Sequence, residues 1–356
     1  MEQKNIENDI SKYIDEGHFV NLHEQAFNDV LKLLMDFVQD GSQLLKSKDK
    51  LAWVCDSVMG SGKTTAIKVL LKYLATASTK IPLLLVFAEK NLMLEVYDEI
   101  NTFATDREAR QLIEYVDSSN VNEVSQTLNQ FQFVCITQQR FRDLTLNFGN
   151  WDEYRVFSLG RKPVERHIER LIIVDEMPIL VDEAVFDVAS KDNSVDWFDK
   201  LAEGSDFTAE EIQMARATIM TLITTEILES ADEERTFTKP LKAGMQQTKS
   251  YNRLVSIINR INTDKGDFES VRKLRWFKKL LHQNRLGAID RHKKGTSILC
   301  AKLIPYHKKG NILILDGTAR LNAGLYKGNY EIKTMKNYHE YRKRVKFHIR
   351  EINTTG

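Results

Sequence analysis

Apolar positions along the chain follow two rhythms. Between Val20 and Val38, residues Leu22, Ala26, Phe27, Val30, Leu31, Leu34 and Phe37 recur every three or four positions, which predicts an amphipathic helix. Five shorter runs, at 51–55, 81–88, 131–136, 171–174 and 311–315, are instead almost continuously apolar. Runs of that length suit strands covered on both faces, and helical patterns at 64–74 and 92–103 fall between them. Strands alternating with helices predict an α/β fold: a parallel sheet flanked by helices, with ligands expected at the carboxyl ends of its strands. Helical spacing reappears at 208–228 and 251–261, far from any such strand, and predicts a mostly helical insertion at 183–295. Near the end, Val345, Phe347 and Ile349 alternate with charged residues, the pattern of a half-exposed strand.

The residues that end the apolar runs carry chemistry. After 51–55 comes Asp56-Ser57-Val58-Met59-Gly60-Ser61-Gly62-Lys63-Thr64-Thr65, the G-x-x-x-x-G-K-[ST] pattern of a phosphate-binding loop with Ser57 at the first Gly position. Gly60, Ser61 and Gly62 let backbone N–H groups turn toward a phosphate, and the following helix start favours negative charge. In such a loop Lys63 reaches the β/γ-phosphates of ATP, while Thr64, followed by Thr65, offers a hydroxyl to Mg²⁺. Asp175-Glu176 follows 171–174; the first is suited to holding Mg²⁺ and the second to activating a water. Gln25, one helix upstream, is a candidate for adenine contact.

Composition and charge narrow the setting. The 356 residues are 42% hydrophobic and 28% charged, without an apolar run of membrane-spanning length, and the start Met1-Glu2-Gln3-Lys4 is too polar for a signal peptide, so a cytoplasmic protein is expected. Cys55, Cys135 and Cys300 each lie in an apolar run and read as small core residues. The net charge of +1 conceals an asymmetry: residues 182–235 hold 15 acidic and 4 basic residues, whereas 265–309 hold 3 acidic and 13 basic. In the basic stretch Arg275, Trp276 and Lys278 combine phosphate-pairing cations with a base-stacking ring, so they are candidates for nucleic-acid contact. An amphipathic helix with Leu274, Phe277, Leu280 and Leu281 in the core explains the same stretch.

In order along the chain, Gly60-Ser61-Gly62-Lys63-Thr64, Asp175-Glu176-Met177-Pro178 and Asp316-Gly317-Thr318-Ala319 resemble motifs I, II and III of superfamily 2 DExD/H helicases. The resemblance covers roughly residues 20–180 and 296–325 and implies a RecA-like P-loop fold: the first lobe of a two-lobed, ATP- and Mg²⁺-dependent helicase or translocase. It implies a catalytic role for Glu176 and Lys63, metal binding by Thr64 and Asp175, and coupling of hydrolysis to nucleic acid through Asp316 and Thr318. By position, Lys90, Gln138 and Arg140 become further nucleic-acid candidates. Met177-Pro178 and Asp316-Gly317 depart from the family's usual Ala-Asp or Ala-His and Ser-Ala. The expected layout is a lobe at 1–182, the insertion at 183–295, the last strand and third motif at 296–330, and at 331–356 a linker or the start of a second RecA-like lobe, supplied in cis or in trans. A P-loop ATPase of a phage packaging or defence system shares the first two motifs, and a nucleotide-gated protein-interaction module would use the insertion differently.

Overall fold

The computed structural model describes residues 24–44, 50–57, 60–105, 112–159, 166–188, 195–203, 205–227, 237–263, 266–292 and 295–335. The strand pattern at 345–349 lies outside them. The described residues form two compact units, one built from segments before 181 and after 303, the other from 181–303.

The first unit is organised on a parallel sheet. Its strands are β1 (Ala52–Asp56), β2 (Leu83–Phe87), β3 (Ile113–Val116), β4 (Phe133–Thr137), β7 (Leu171–Asp175), β11 (Ile312–Leu315) and β12 (Glu331–Thr334), in the spatial order β12-β1-β11-β7-β2-β4-β3. Every neighbouring pair runs parallel. A small antiparallel ribbon pairs β5 (Val156–Leu159) with β6 (Arg166–Glu169). Strand alternation decides which layer each side chain joins. Leu83, Leu85, Phe87, Leu171, Ile173, Leu313 and Leu315 pack with helices α1 (Glu24–Gln43), α2 (Lys63–Thr76) and α3 (Lys90–Thr105). Their sequence neighbours Leu84, Val86, Ile172, Val174, Ile312 and Ile314 pack on the other face with Phe141 and Leu144 of α4 (Gln138–Thr145), Tyr306 and Tyr326. All residues of β2, β7 and β11 are buried, as a strand covered on both sides requires.

All five expected strands are present, and β3 and β12 add an edge on each side. Residues 331–334, expected to be a linker or the start of another lobe, instead pair with β1 through Trp53↔Glu331 to Asp56↔Thr334. Helix α1 continues through Asp40 to Gln43, past the end of the apolar pattern at Val38. Gly41 gives α1 a close approach to β7: a Cβ there would lie 3.0 Å from Leu171 Cδ2, so that side chain would have to shift to admit a larger residue.

Arg170, 2% exposed, ties the layer beneath the sheet. Its Nη1 donates to Gln132 O, and its Nη2 to Leu128 O and Phe131 O, each at 2.7 Å. The guanidinium lies 5.7 Å from the Phe157 ring centroid. Three carbonyls thus solvate a buried cation that has no carboxylate partner among the described residues.

The second unit combines helices with a sheet the sequence pattern missed. β8 (Val181–Asp187), β10 (Gly295–Leu303) and β9 (Gly287–His292) form an antiparallel sheet in the order β8-β10-β9. With them go helices α5 (Asp196–Ala202), α6 (Ala209–Thr221, continued by a π-turn to Ile227), α7 (Lys249–Arg260) and α8 (Phe268–Leu280). Phe186, Trp197 and Phe277 form an aromatic centre, with 5.4 Å between the Trp197 and Phe277 rings. Two cations reach back to the acidic stretch 182–235: Arg260 pairs with Glu211 at 2.6 Å, and Arg272, from the basic stretch, lies 3.8 Å from Asp182.

Candidate functional site

Three adjacent strands end side by side at the carboxyl edge of the sheet. The register places Leu315 of β11 between Cys55 of β1 and Asp175 of β7, so Asp56, Asp316 and Asp175 close three neighbouring strands. Parallel strands with short connections put polar strand ends on one edge, where the starts of the following helices also gather.

The glycine-rich loop between β1 and α2 has the backbone a phosphate cradle needs. Gly60 has φ 77°, and Gly62 caps α2 at φ 73°, ψ 31°, both in the left-handed region that a side chain disfavours. Ser61 is 2% exposed, and its Oγ has no partner among the described residues. Lys63 and Thr64 open α2, where free N–H groups and the helix dipole favour an anion.

Thr64 Oγ1 donates to Asp175 Oδ2 at 2.7 Å, joining the loop to the end of β7. Asp175 is 1% exposed and its Oδ1 accepts no hydrogen bond among the described residues. Burial raises its pKa; the Thr64 hydroxyl and the Lys63 charge act in the opposite direction. A desolvated carboxylate with one open oxygen beside a Thr hydroxyl is a donor pair suited to a hard cation such as Mg²⁺.

Glu176 is exposed and has φ 75°, unusual for a residue with a long side chain. Gln138, at the start of α4, holds this turn: its Nε2 donates to the carbonyls of Asp175 and Glu176, each at 3.3 Å. The turn directs the chain away from the β7 line immediately after Asp175.

Beyond β11, Asp316 organises the third motif. Its Oδ1 accepts from Thr318 N and Thr318 Oγ1, each at 2.7 Å, and its Oδ2 accepts from the buried Tyr326 hydroxyl at 2.9 Å. Burial and the Asp316 charge together raise the Tyr326 pKa, so the phenol remains a donor. Asn322 Nδ2 bridges Thr318 Oγ1 at 3.0 Å and Met177 Sδ at 3.1 Å. Met177, the departure in the second motif, therefore touches the third. Arg320 pairs with Asp56, which is fully buried. Asp56, Arg320, Asn322 and Tyr326 were missed as site residues. The visible signal was Asp56 ending an apolar strand just as Asp175 and Asp316 do.

The structure engages the other candidates differently. Lys90 Nζ pairs with Asp117 at 2.7 Å; hydrogen bonds from Lys90 and Ser119 hold that carboxyl down to about 2. Arg140 Nε and Nη2 both donate to Tyr154 Oη, at 3.2 and 3.0 Å. Gln138 braces the Asp175–Glu176 turn. Trp276 is 1% exposed and its Nε1 donates to Asp182 Oδ2 at 3.0 Å, so the indole is a core residue and not a base-stacking surface. The Gln25 side chain and residues Val58 and Met59 lie outside what the structure describes.

Sheet, loop and strand-end carboxylates together define a RecA-like P-loop α/β fold. Residues 21–194, just under half of the chain, match the family model of the DEAD/DEAH box helicases. No curated protein matches the chain. Proteins of this domain type hydrolyse ATP and bind nucleic acid. No helix among the described residues is long and apolar enough to cross a membrane.

Proposed function

We propose that this chain is the ATP-binding and ATP-hydrolysing lobe of a helicase or translocase that works on nucleic acid in the cytoplasm, with 181–303 as an insertion in that lobe. The observation that carries the reading is the Thr64–Asp175 contact beside the Gly60 and Gly62 turns. One open carboxylate oxygen and a hydroxyl share one point at the start of a helix. Thr64 and Asp175 would hold Mg²⁺, which supplies positive charge to the phosphate oxygens when bound. Lys63 neutralises phosphate charge, and the N–H groups of the loop fix the chain of phosphates. Glu176 accepts a proton from the attacking water, and Gln138 positions it by holding its backbone turn.

Asp316, Thr318 and Asn322 form the coupling element, since Asn322 reaches Met177 next to the catalytic pair. Their rearrangement would transmit the state of the phosphates to a bound strand, taken as single-stranded DNA or RNA. A second RecA-like lobe, in cis or in trans, is expected to add positive charge across the cleft, so hydrolysis by this chain alone is slow.

The direct test is ATP binding by wild type and Lys63→Ala. A charge-assisted hydrogen bond of about 1.5–3 kcal/mol corresponds to a loss of affinity of roughly 10- to 150-fold, with unchanged thermal unfolding. Equal affinity in a folded variant would remove the phosphate-loop assignment.

A further inference from the structure

From sequence, the basic stretch of the second unit fits either cations around a stacking aromatic or an amphipathic helix with a basic face. The structure separates those roles. On α8, Leu274, Trp276, Phe277 and Leu280 are buried, whereas Lys278 and Lys279 are exposed. Trp276 and Asp182 form a buried hydrogen-bonded pair, and cations surround it. Lys279 Nζ lies 5.0 Å from the Trp276 ring centroid, and Arg272 Nη1 lies 3.8 Å from Asp182 Oδ1. Lys302 is directly opposite Asp182 in the β8–β10 register. Arg275 precedes Lys278 and Lys279 by three and four residues, so all three share one side of the helix.

Asp182 attracts Arg275 and Lys279, but one carboxylate faces several cations that crowd one another. Like charges at these helical spacings repel, and Lys278, Lys279 and Lys302 have no carboxylate partner among the described residues. Partial burial lowers the pKa of Lys278 and Lys279, and the neighbouring cations, Arg275 for the first and Lys302 for the second, lower it further. A ligand with closely repeated negative charge relieves that repulsion. Accepting the nucleic-acid reading above, we propose that Arg275, Lys278 and Lys279 of α8 with Lys302 of β10 form a phosphate-backbone contact surface for single-stranded nucleic acid, on the 181–303 unit itself. The surface grips phosphates without stacking bases, so it is indifferent to sequence, and Trp276 serves as the buried floor beneath it.

The test compares the full chain with Lys278→Gln/Lys279→Gln/Lys302→Gln and with the conservative Lys→Arg triple variant, using a labelled single-stranded oligonucleotide across a salt series. The Gln variant is expected to bind at least tenfold more weakly near 100 mM salt. Its slope of log affinity against log salt falls by about 2, at roughly 0.7 for each lost phosphate contact. ATP affinity is unchanged, and the variant remains folded, as its cooperative thermal unfolding shows. The Lys→Arg variant binds as wild type does. Wild type and Gln variant binding with the same affinity and slope would overturn this surface while leaving the motor reading intact. Absence of oligonucleotide binding by wild type in every nucleotide state would instead overturn the reading on which the surface rests. Displacement of the oligonucleotide by polyglutamate at lower charge concentration would reassign the surface to an acidic protein and overturn the proposal.

Discussion

Glu176→Gln is expected to slow ATP hydrolysis about 10²- to 10⁴-fold, the usual contribution of a positioned general base, while ATP affinity stays within about threefold of wild type. The separation of the two effects follows from position. Glu176 is exposed, its backbone is held in the left-handed region at φ 75°, and Gln138 anchors its carbonyl. None of the groups proposed to hold the phosphates and Mg²⁺ depends on its side chain; those groups lie on the Gly60–Thr64 loop and on Asp175. Gln keeps the length and shape of Glu and removes only its capacity to take a proton. In transition-state terms the loss is roughly 3–5 kcal/mol, confined to the chemical step. Single-turnover hydrolysis and equilibrium nucleotide binding, measured on the same preparation, check the split. A proportional loss of affinity would make Glu176 a binding residue instead.

Arg170→Met is expected to destabilise the first unit by about 2–4 kcal/mol, read from the midpoint of denaturant unfolding. The wild-type guanidinium donates three hydrogen bonds of 2.7 Å to Leu128, Phe131 and Gln132 carbonyls under the sheet. Gln132 O and Leu128 O retain backbone donors, Leu83 N at 3.1 Å and Phe131 N at 3.2 Å. Phe131 O has no other donor among the backbone contacts, and its desolvation would go uncompensated. Relief from burying a cation offsets part of the loss, which is why the figure is below the sum of three charged hydrogen bonds. Arg170→Lys should also destabilise, by at least ~1 kcal/mol, because a single ammonium cannot reproduce the planar fork. Unfolding midpoints of both variants equal to wild type would contradict this account of the layer.

Much of this architecture was legible because it rests on continuous apolar runs. β1, β2, β4, β7 and β11 are internal strands, covered on both faces, and their composition announces it. The sheet's edges were not legible, since Ile113-Glu114-Tyr115-Val116 and Glu331-Ile332-Lys333-Thr334 are short and mix polar with apolar residues. Strands β8–β10 were hidden for a related reason: β8 alternates buried and exposed positions over an acidic stretch, and β10 follows a basic run. Trp276 was misread because a stripe drawn through Leu274, Phe277 and Leu280 leaves it to one side. The helix is in fact covered by both α5 and the β8 strand, which widens its buried face enough to include the indole.

At the site, the glycine loop and Asp175-Glu176 could be read from local spacing alone. The Asp56–Arg320 pair and the Met177–Asn322 contact join residues 264 and 145 positions apart, so only the fold brings them together.

Steady-state ATP hydrolysis by this chain, measured with and without single-stranded DNA, duplex DNA and RNA, tests the central claim most directly. The predicted result is slow, Mg²⁺-dependent turnover that rises with at least one nucleic acid and rises further when a second RecA-like lobe is supplied. Fast turnover by the chain alone, indifferent to every nucleic acid added, would contradict it.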